Sequence, residues 1–194
     1  MKDGFCMYIK KEELISAFTE IEQVLTNYSL PSWDMLPDIE LYMDQVVSVV
    51  TKYLDVHSAK MEFNRPVTPA MINNYVKLGI IPAPNRKKYS RIHLAYLLIV
   101  CTLKQTLDMS TIQQIIPVGI DKDEVRKTYD SFVKNQHTAF NYVFSQTRAV
   151  ADPIFTLEGN NQDRMNDLIM QVSVSANLFK LLAEKITHLD KEEI

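Results

Sequence analysis

Four glycines in 194 residues leave few positions for tight hairpins or for the glycine-rich loops that cradle phosphates. Only two cysteines occur, Cys6 and Cys101, far apart and without a CxxC pair or a Cys/His cluster, so neither a disulfide framework nor a zinc site is indicated. No long hydrophobic run is present: LAYLLIVCTL, residues 94–103, is too short to span a bilayer. The amino terminus carries charges at positions 2, 3, 10 and 11 and no apolar stretch of signal-peptide length. A cytoplasmic protein without membrane contact is expected. GxSxG, HExxH and paired Cys–His arrangements are also missing, and the histidines at 57, 93, 137 and 188 share no short ligand spacing. No enzymatic activity, cofactor or metal is therefore expected, although groups distant in sequence can still meet in space.

What the chain does hold is 46% apolar residues, enough for one core of good size plus a helical extension. With so little glycine, an all-α protein is expected. Its net charge is −3, yet residues 60–104 contain eight Lys or Arg and a single acid, Glu62, so that stretch is +7 and the remainder −10. A basic island in an acidic body is the footprint of a surface that meets phosphates, or else a solvated lysine-rich face.

Hydrophobic periodicity divides the chain into helices. Leu14, Phe18, Ile21, Leu25 and Tyr28 recur at steps of three and four, predicting a helix from Lys10 to Tyr28. LPSWDMLPD (30–38) reads as a packed turn with Trp33 plugging the core, and Ile39, Tyr42, Val46, Val49 and Tyr53 predict the apolar face of a second helix. HSAKMEFNRPV (57–67) is a polar loop. Thr68 then offers an N-cap oxygen and Pro69 suits the first helical position, so a short helix (69–78) begins there and stops at Gly79. Met71, Ile72, Tyr75 and Leu78 face its core side, which turns Ala70, Asn73, Asn74 and Lys77 outward. IIPAP (80–84) cannot be helical at its prolines, and NRKKYSR projects positive charge beyond it.

Ser90 caps the next helix, 91–107, whose continuous apolar run predicts burial on most sides, with Cys101 a buried thiol. Ser110 with Gln113 and Asp121 with Glu124 have capping-box spacing, opening a short helix to Ile116 and a long one to Val150. ADPIFTLEGN (151–160) reads as a connection. After it, Met165, Leu168, Val172, Ser175, Phe179, Leu182, Ile186 and Leu189 form a stripe of nearly four heptads. That stripe predicts a hairpin with the preceding helix, either extended into a partner subunit or folded back on the amino-terminal helices.

The order of elements over 68–116 resembles the winged helix-turn-helix of MerR-type transcription regulators. MINNY followed by VKLGIIP places Ile72, Tyr75, Gly79, Ile80, Ile81 and Pro82 on that family's structural positions, and Lys87 and Tyr89 on its wing pattern. The arginine and first tyrosine of the MerR helix are replaced here by Asn73 and Asn74. LPDIELYMDQ, MINNYVKLG and KKYSRIHLAYLLIV together resemble the bacterial domain-of-unknown-function family eighteen thirty-six, over roughly residues 30–118.

The resemblance implies an all-α MerR-like winged helix-turn-helix with a short wing, amino-terminal helices and a carboxy-terminal long-helix hairpin. The expected division is 1–36 (helix and packed turn), 37–118 (winged helix-turn-helix) and 119–194 (hairpin for dimerisation or effector binding). A DNA-binding transcriptional regulator acting on double-stranded DNA as a homodimer through residues 121–190 is the leading expectation. Asn73, Asn74 and Lys77 would contact bases, asparagine being able to pair bidentately with adenine, while Arg86, Lys87, Lys88, Tyr89 and Arg91 would contact the backbone (85–91). For Tyr89 a phosphate contact competes with packing on Pro82 or Pro84. A protein-interaction adaptor on the same scaffold is the alternative. No small-molecule effector is named by the residues.

Overall fold

The computed structural model describes residues 8–55, 67–156 and 162–189; the 57–67 loop up to Pro66, His57, Cys6 and the side chain of Leu25 lie outside the described residues. Within them the chain is all-α, with helices α1 (Lys11–Asn27), α2 (Met43–Leu54), α3 (Pro69–Lys77), α4 (Arg91–Leu103), α5 (Met109–Ile115), α6 (Lys122–Thr156) and α7 (Gln162–Thr187). A single 3-10 turn, Trp33–Met35, precedes α2. The only strand-like pairings among the described residues are two isolated bridges.

The apolar run of α4 does what its composition demands. Every residue from His93 to Cys101 is buried, and α2 and α6 pack against it. Each large side chain withdrawn from water there contributes about 1.5–3 kcal/mol. Trp33 is indeed a core plug: its ring meets Tyr129 of α6 edge-on at 6.3 Å, and its backbone N–H donates to the Asp130 carboxylate at 3.1 Å. Tyr129, fully buried, donates its hydroxyl to the Pro31 carbonyl at 2.8 Å. The first turns of α6 therefore belong to the same core as α2–α5, through Val125 and Tyr129.

A second, smaller cluster joins the far ends of the long helices. Ala151 and Ile154 of α6 pack on Met165 and Leu168 of α7, with Leu14 and Phe18 of α1 and Phe155 closing over them. Gln162 fastens this end by bonding both backbone groups of Ile9, donating to its carbonyl and accepting from its N–H.

Several local expectations hold. Thr68 caps α3 by accepting from Met71 N–H at 3.3 Å, and Asp121 caps α6 by accepting from Asp123 and Glu124 N–H at 2.8 and 3.1 Å. Others give way to competing physics. The expected connection at 151–160 is helical as far as Thr156, because burial of Ala151 and Ile154 holds the backbone through Pro153. Asp108, and not Ser110, caps α5: its carboxylate accepts from Thr111 N–H at 2.8 Å and from Ser110 hydroxyl at 2.6 Å, which holds it at about 2. The second helix starts at Met43, so Ile39 and Tyr42 stand exposed and Leu41 is buried in their place.

Candidate nucleic-acid interface

Helix α3 is short because Leu78 ends it and Gly79 follows at φ +69°, the left-handed position that glycine occupies without steric cost. Ile72 and Tyr75 bury themselves in the core, Met71 is partly covered, and Leu78 is left exposed. Asn73, Asn74 and Lys77 all point to solvent. Past the glycine, Ile80 and Ile81 are buried, so the chain is pressed against the body and then released into the basic loop. Gln113 of α5 ties the two elements by donating to the Leu78 carbonyl at 2.8 Å.

The basic loop is a two-residue hairpin turn. Asn85 and Lys88 exchange backbone hydrogen bonds of 3.1 and 2.9 Å, with Arg86 at φ +49° and Lys87 at φ +64° between them. Those angles are the requirement of a type I′ turn, which favours Asn and Gly and costs a branched-Cβ or long L-residue about 1–2 kcal/mol each. Arg86 and Lys87 are exposed at its tip and make no ion pair with any described residue.

Lys88, Tyr89 and Arg91 sit differently. Tyr89 is 3% exposed; its backbone exchanges two 2.8 Å bonds with Leu41, and its ring meets His93 edge-on at 5.3 Å. Of the two readings for Tyr89, packing into the body describes its position, against His93. Lys88 Nζ lies 3.2 Å from Glu40 and 5.9 Å from the ring centre of Tyr42. Arg91 lies 3.6 Å from Asp38 and 5.8 Å from the Trp33 ring, its side chain only 13% exposed and its Nε without a hydrogen-bond partner. No sequence signal singled out Asp38 and Glu40, since nothing local links them to a loop some fifty residues away.

His93, which the sequence places beside the loop, is buried and structural. As the third residue of α4 its Nδ1 accepts the Ser90 N–H at 2.9 Å, while Nε2 faces the Ala83 carbonyl at 3.4 Å. Burial lowers its pKa, partly offset by those backbone contacts. Burial also lifts the Cys101 thiol to about 11 and, with Cys101 close by, the Tyr75 hydroxyl to about 12. Among the described residues no three His, Cys, Asp or Glu side chains gather as metal ligands, and no helix is long and apolar enough to cross a membrane.

Away from the loop, α6 and α7 pack together through Ala151, Ile154, Met165 and Leu168. They leave an open apolar cavity of about 320 Å³ lined by Val143, Val150, Leu168, Val172 and Phe179 with Gln146 and Gln171. Beyond it the α7 stripe runs exposed through Phe179, Leu182, Ile186 and Leu189.

These features define an all-α protein in which a central buried helix carries a short exposed helix and a tight cationic turn. The chain belongs to DUF1836, a domain of unknown function, whose family model matches residues 31–132. No curated protein and no solved structure matches it. The match runs from Pro31, which accepts from Tyr129, to Phe132, so it takes in the α6 turns that complete the core.

Proposed function

We propose that the chain is a transcriptional regulator that binds duplex DNA on a MerR-like winged helix-turn-helix, α3 entering the major groove and the 85–91 wing gripping the backbone. The observation that carries this reading is the turn at Arg86–Lys87. Two long cationic residues occupy backbone positions that Asn and Gly would take at lower cost, and strain of that kind is retained where the side chains are needed. Arg86 and Lys87 supply the phosphate contacts, Lys88 and Arg91 a second pair, and Asn73, Asn74 and Lys77 the base-edge contacts.

The chain acts as a homodimer in this reading. Val172, Phe179, Leu182 and Ile186, at heptad spacing on one face of α7, stand between 41% and 63% exposed, an apolar strip of the kind a partner helix covers. The occupant is a second copy because the stripe continues, on the same heptad spacing, the Met165 and Leu168 face that already pairs helix with helix inside the subunit.

The test is duplex binding over a salt series, with Arg86→Asn/Lys87→Gly as the variant. Native affinity should fall with salt at a log–log slope of about −0.9 per phosphate engaged. The variant should bind more weakly, with a slope shallower by about two such steps, while its turn relaxes and its stability rises by about 1–2 kcal/mol per position, read as a higher melting temperature. Absence of native binding at the lowest salt sinks the proposal. It would favour a protein-interaction adaptor instead, for which the exposed groove between α6 and α7 is the supporting observation.

A further inference from the structure

The second pair of wing cations is already engaged inside the molecule. Asp38 and Glu40 precede α2 and lie against the returning arm of the wing, 3.6 Å from Arg91 and 3.2 Å from Lys88. Their position is imposed by the backbone, since Leu41 N–H donates to Tyr89 carbonyl and Tyr89 N–H to Leu41 carbonyl, each at 2.8 Å. Both carboxylates are open to solvent, with 69% and 52% of their side chains exposed; Glu40 can leave the exposed Lys88 freely, whereas Asp38 leaves an Arg91 side chain only 13% exposed, which an arriving phosphate must cover in its place. Of the four cationic side chains in residues 85–91, two are thereby met by anions before any ligand arrives.

We propose that Asp38 and Glu40 are internal competitors of the DNA phosphates: they occupy Arg91 and Lys88, and backbone contact by the inner half of the wing requires that phosphate displace them. This rests on the duplex-binding reading above. The Lys88–Glu40 pair, exposed on both sides, is worth only about 0–1 kcal/mol, so it yields to a phosphate whose counterions are released on contact, while Asp38 yields Arg91 only to a phosphate that takes its place at the guanidinium. The consequence is a wing that holds non-specific duplex weakly, by Arg86 and Lys87, and engages fully only where α3 has seated. Asp38 and Glu40 thus act on the cations from behind and touch no base.

Binding to a random-sequence duplex over a salt series compares the native chain with Asp38→Asn/Glu40→Gln. The double variant should bind roughly tenfold or more tightly at low salt, with a log–log slope steeper by up to about two phosphates. Glu40→Gln alone, at the more exposed cation, should move both quantities about half as far, and it guards against misfolding of the double variant. Native binding that neither substitution changes overturns the competitor role and leaves the DNA reading standing. Weaker binding by variants with unchanged melting also overturns it, because the carboxylates would then be positioning the cations. If neither native chain nor variants bind, both proposals fall together. Binding by the variants alone likewise sinks the duplex-binding reading of the native chain, and the competitor role with it.

Discussion

At the scale of single residues, His93 shows how position overrules type. A histidine next to a basic loop suggests a phosphate contact, yet here the ring is buried and its Nδ1 accepts the N–H of Ser90. Only an unprotonated Nδ1 can do so, and burial lowers the pKa by more than the backbone contacts restore. In the unfolded chain the group takes up its proton near 6.5, whereas the folded protein resists until lower pH. Stability is therefore full above about 6.5 and declines as the pH falls below it, before the carboxylates begin to titrate. Urea midpoints at pH 7.5 and 5 should differ for the native chain. His93→Gln should be less stable at neutral pH by about 1–3 kcal/mol and show a smaller difference between the two pH values. An unchanged difference in the variant would assign the effect to another group. Asp108, held at about 2 by Ser110 and Thr111, loses its contribution only in more acidic solution and does not blur that window.

Elements reveal a second kind of competition. Pro153 removes a helical hydrogen bond and a proline well inside a helix costs about 3 kcal/mol, yet α6 runs through it. Ala151 and Ile154 on either side are buried against α7, and that packing outweighs the local penalty. Pro153 itself is exposed, so Pro153→Ala should raise stability by about 1–3 kcal/mol with no loss of packing. A lower melting temperature in thermal denaturation would mean that the proline shapes the α6–α7 junction. The same contest explains where the helices start. Thr68 and Asp121 were legible as caps because the oxygen and its N–H partner lie within three residues. Ser110 with Gln113 had the same spacing, but Asp108 is a stronger acceptor, and Gln113 reaches instead to Leu78 on another element.

For the whole molecule the question is what covers α7. Its heptad stripe was plain in the sequence, but spacing cannot say which residues find a partner within the subunit. Met165 and Leu168 do; Phe179 is 51% and Ile186 63% exposed. Light scattering at about 10 μM should report twice the 22.4 kDa subunit mass, and Phe179→Glu/Ile186→Glu should return the monomer while the core, which does not use those side chains, stays folded. A native monomer at that concentration would remove the dimer from the proposed function and leave α7 open to a different protein. Half-site cooperativity on a pseudo-palindromic duplex should vanish with the same double substitution.

The amino-acid sequence by itself determined the helical class, the burial of the Leu94–Cys101 run, the core role of Trp33, the short α3 with Gly79 behind it, and the outward set Asn73, Asn74 and Lys77. Each follows from periodicity, capping or backbone freedom within a few residues. Only the tertiary structure decided that Tyr89 and His93 turn inward, that Arg86 and Lys87 take left-handed angles, and that Asp38 and Glu40 face Arg91 and Lys88. Those outcomes depend on the Leu41–Tyr89 pairing, which joins segments forty-eight positions apart. A contact of that span is chosen by how the whole core packs, so no local pattern encodes it.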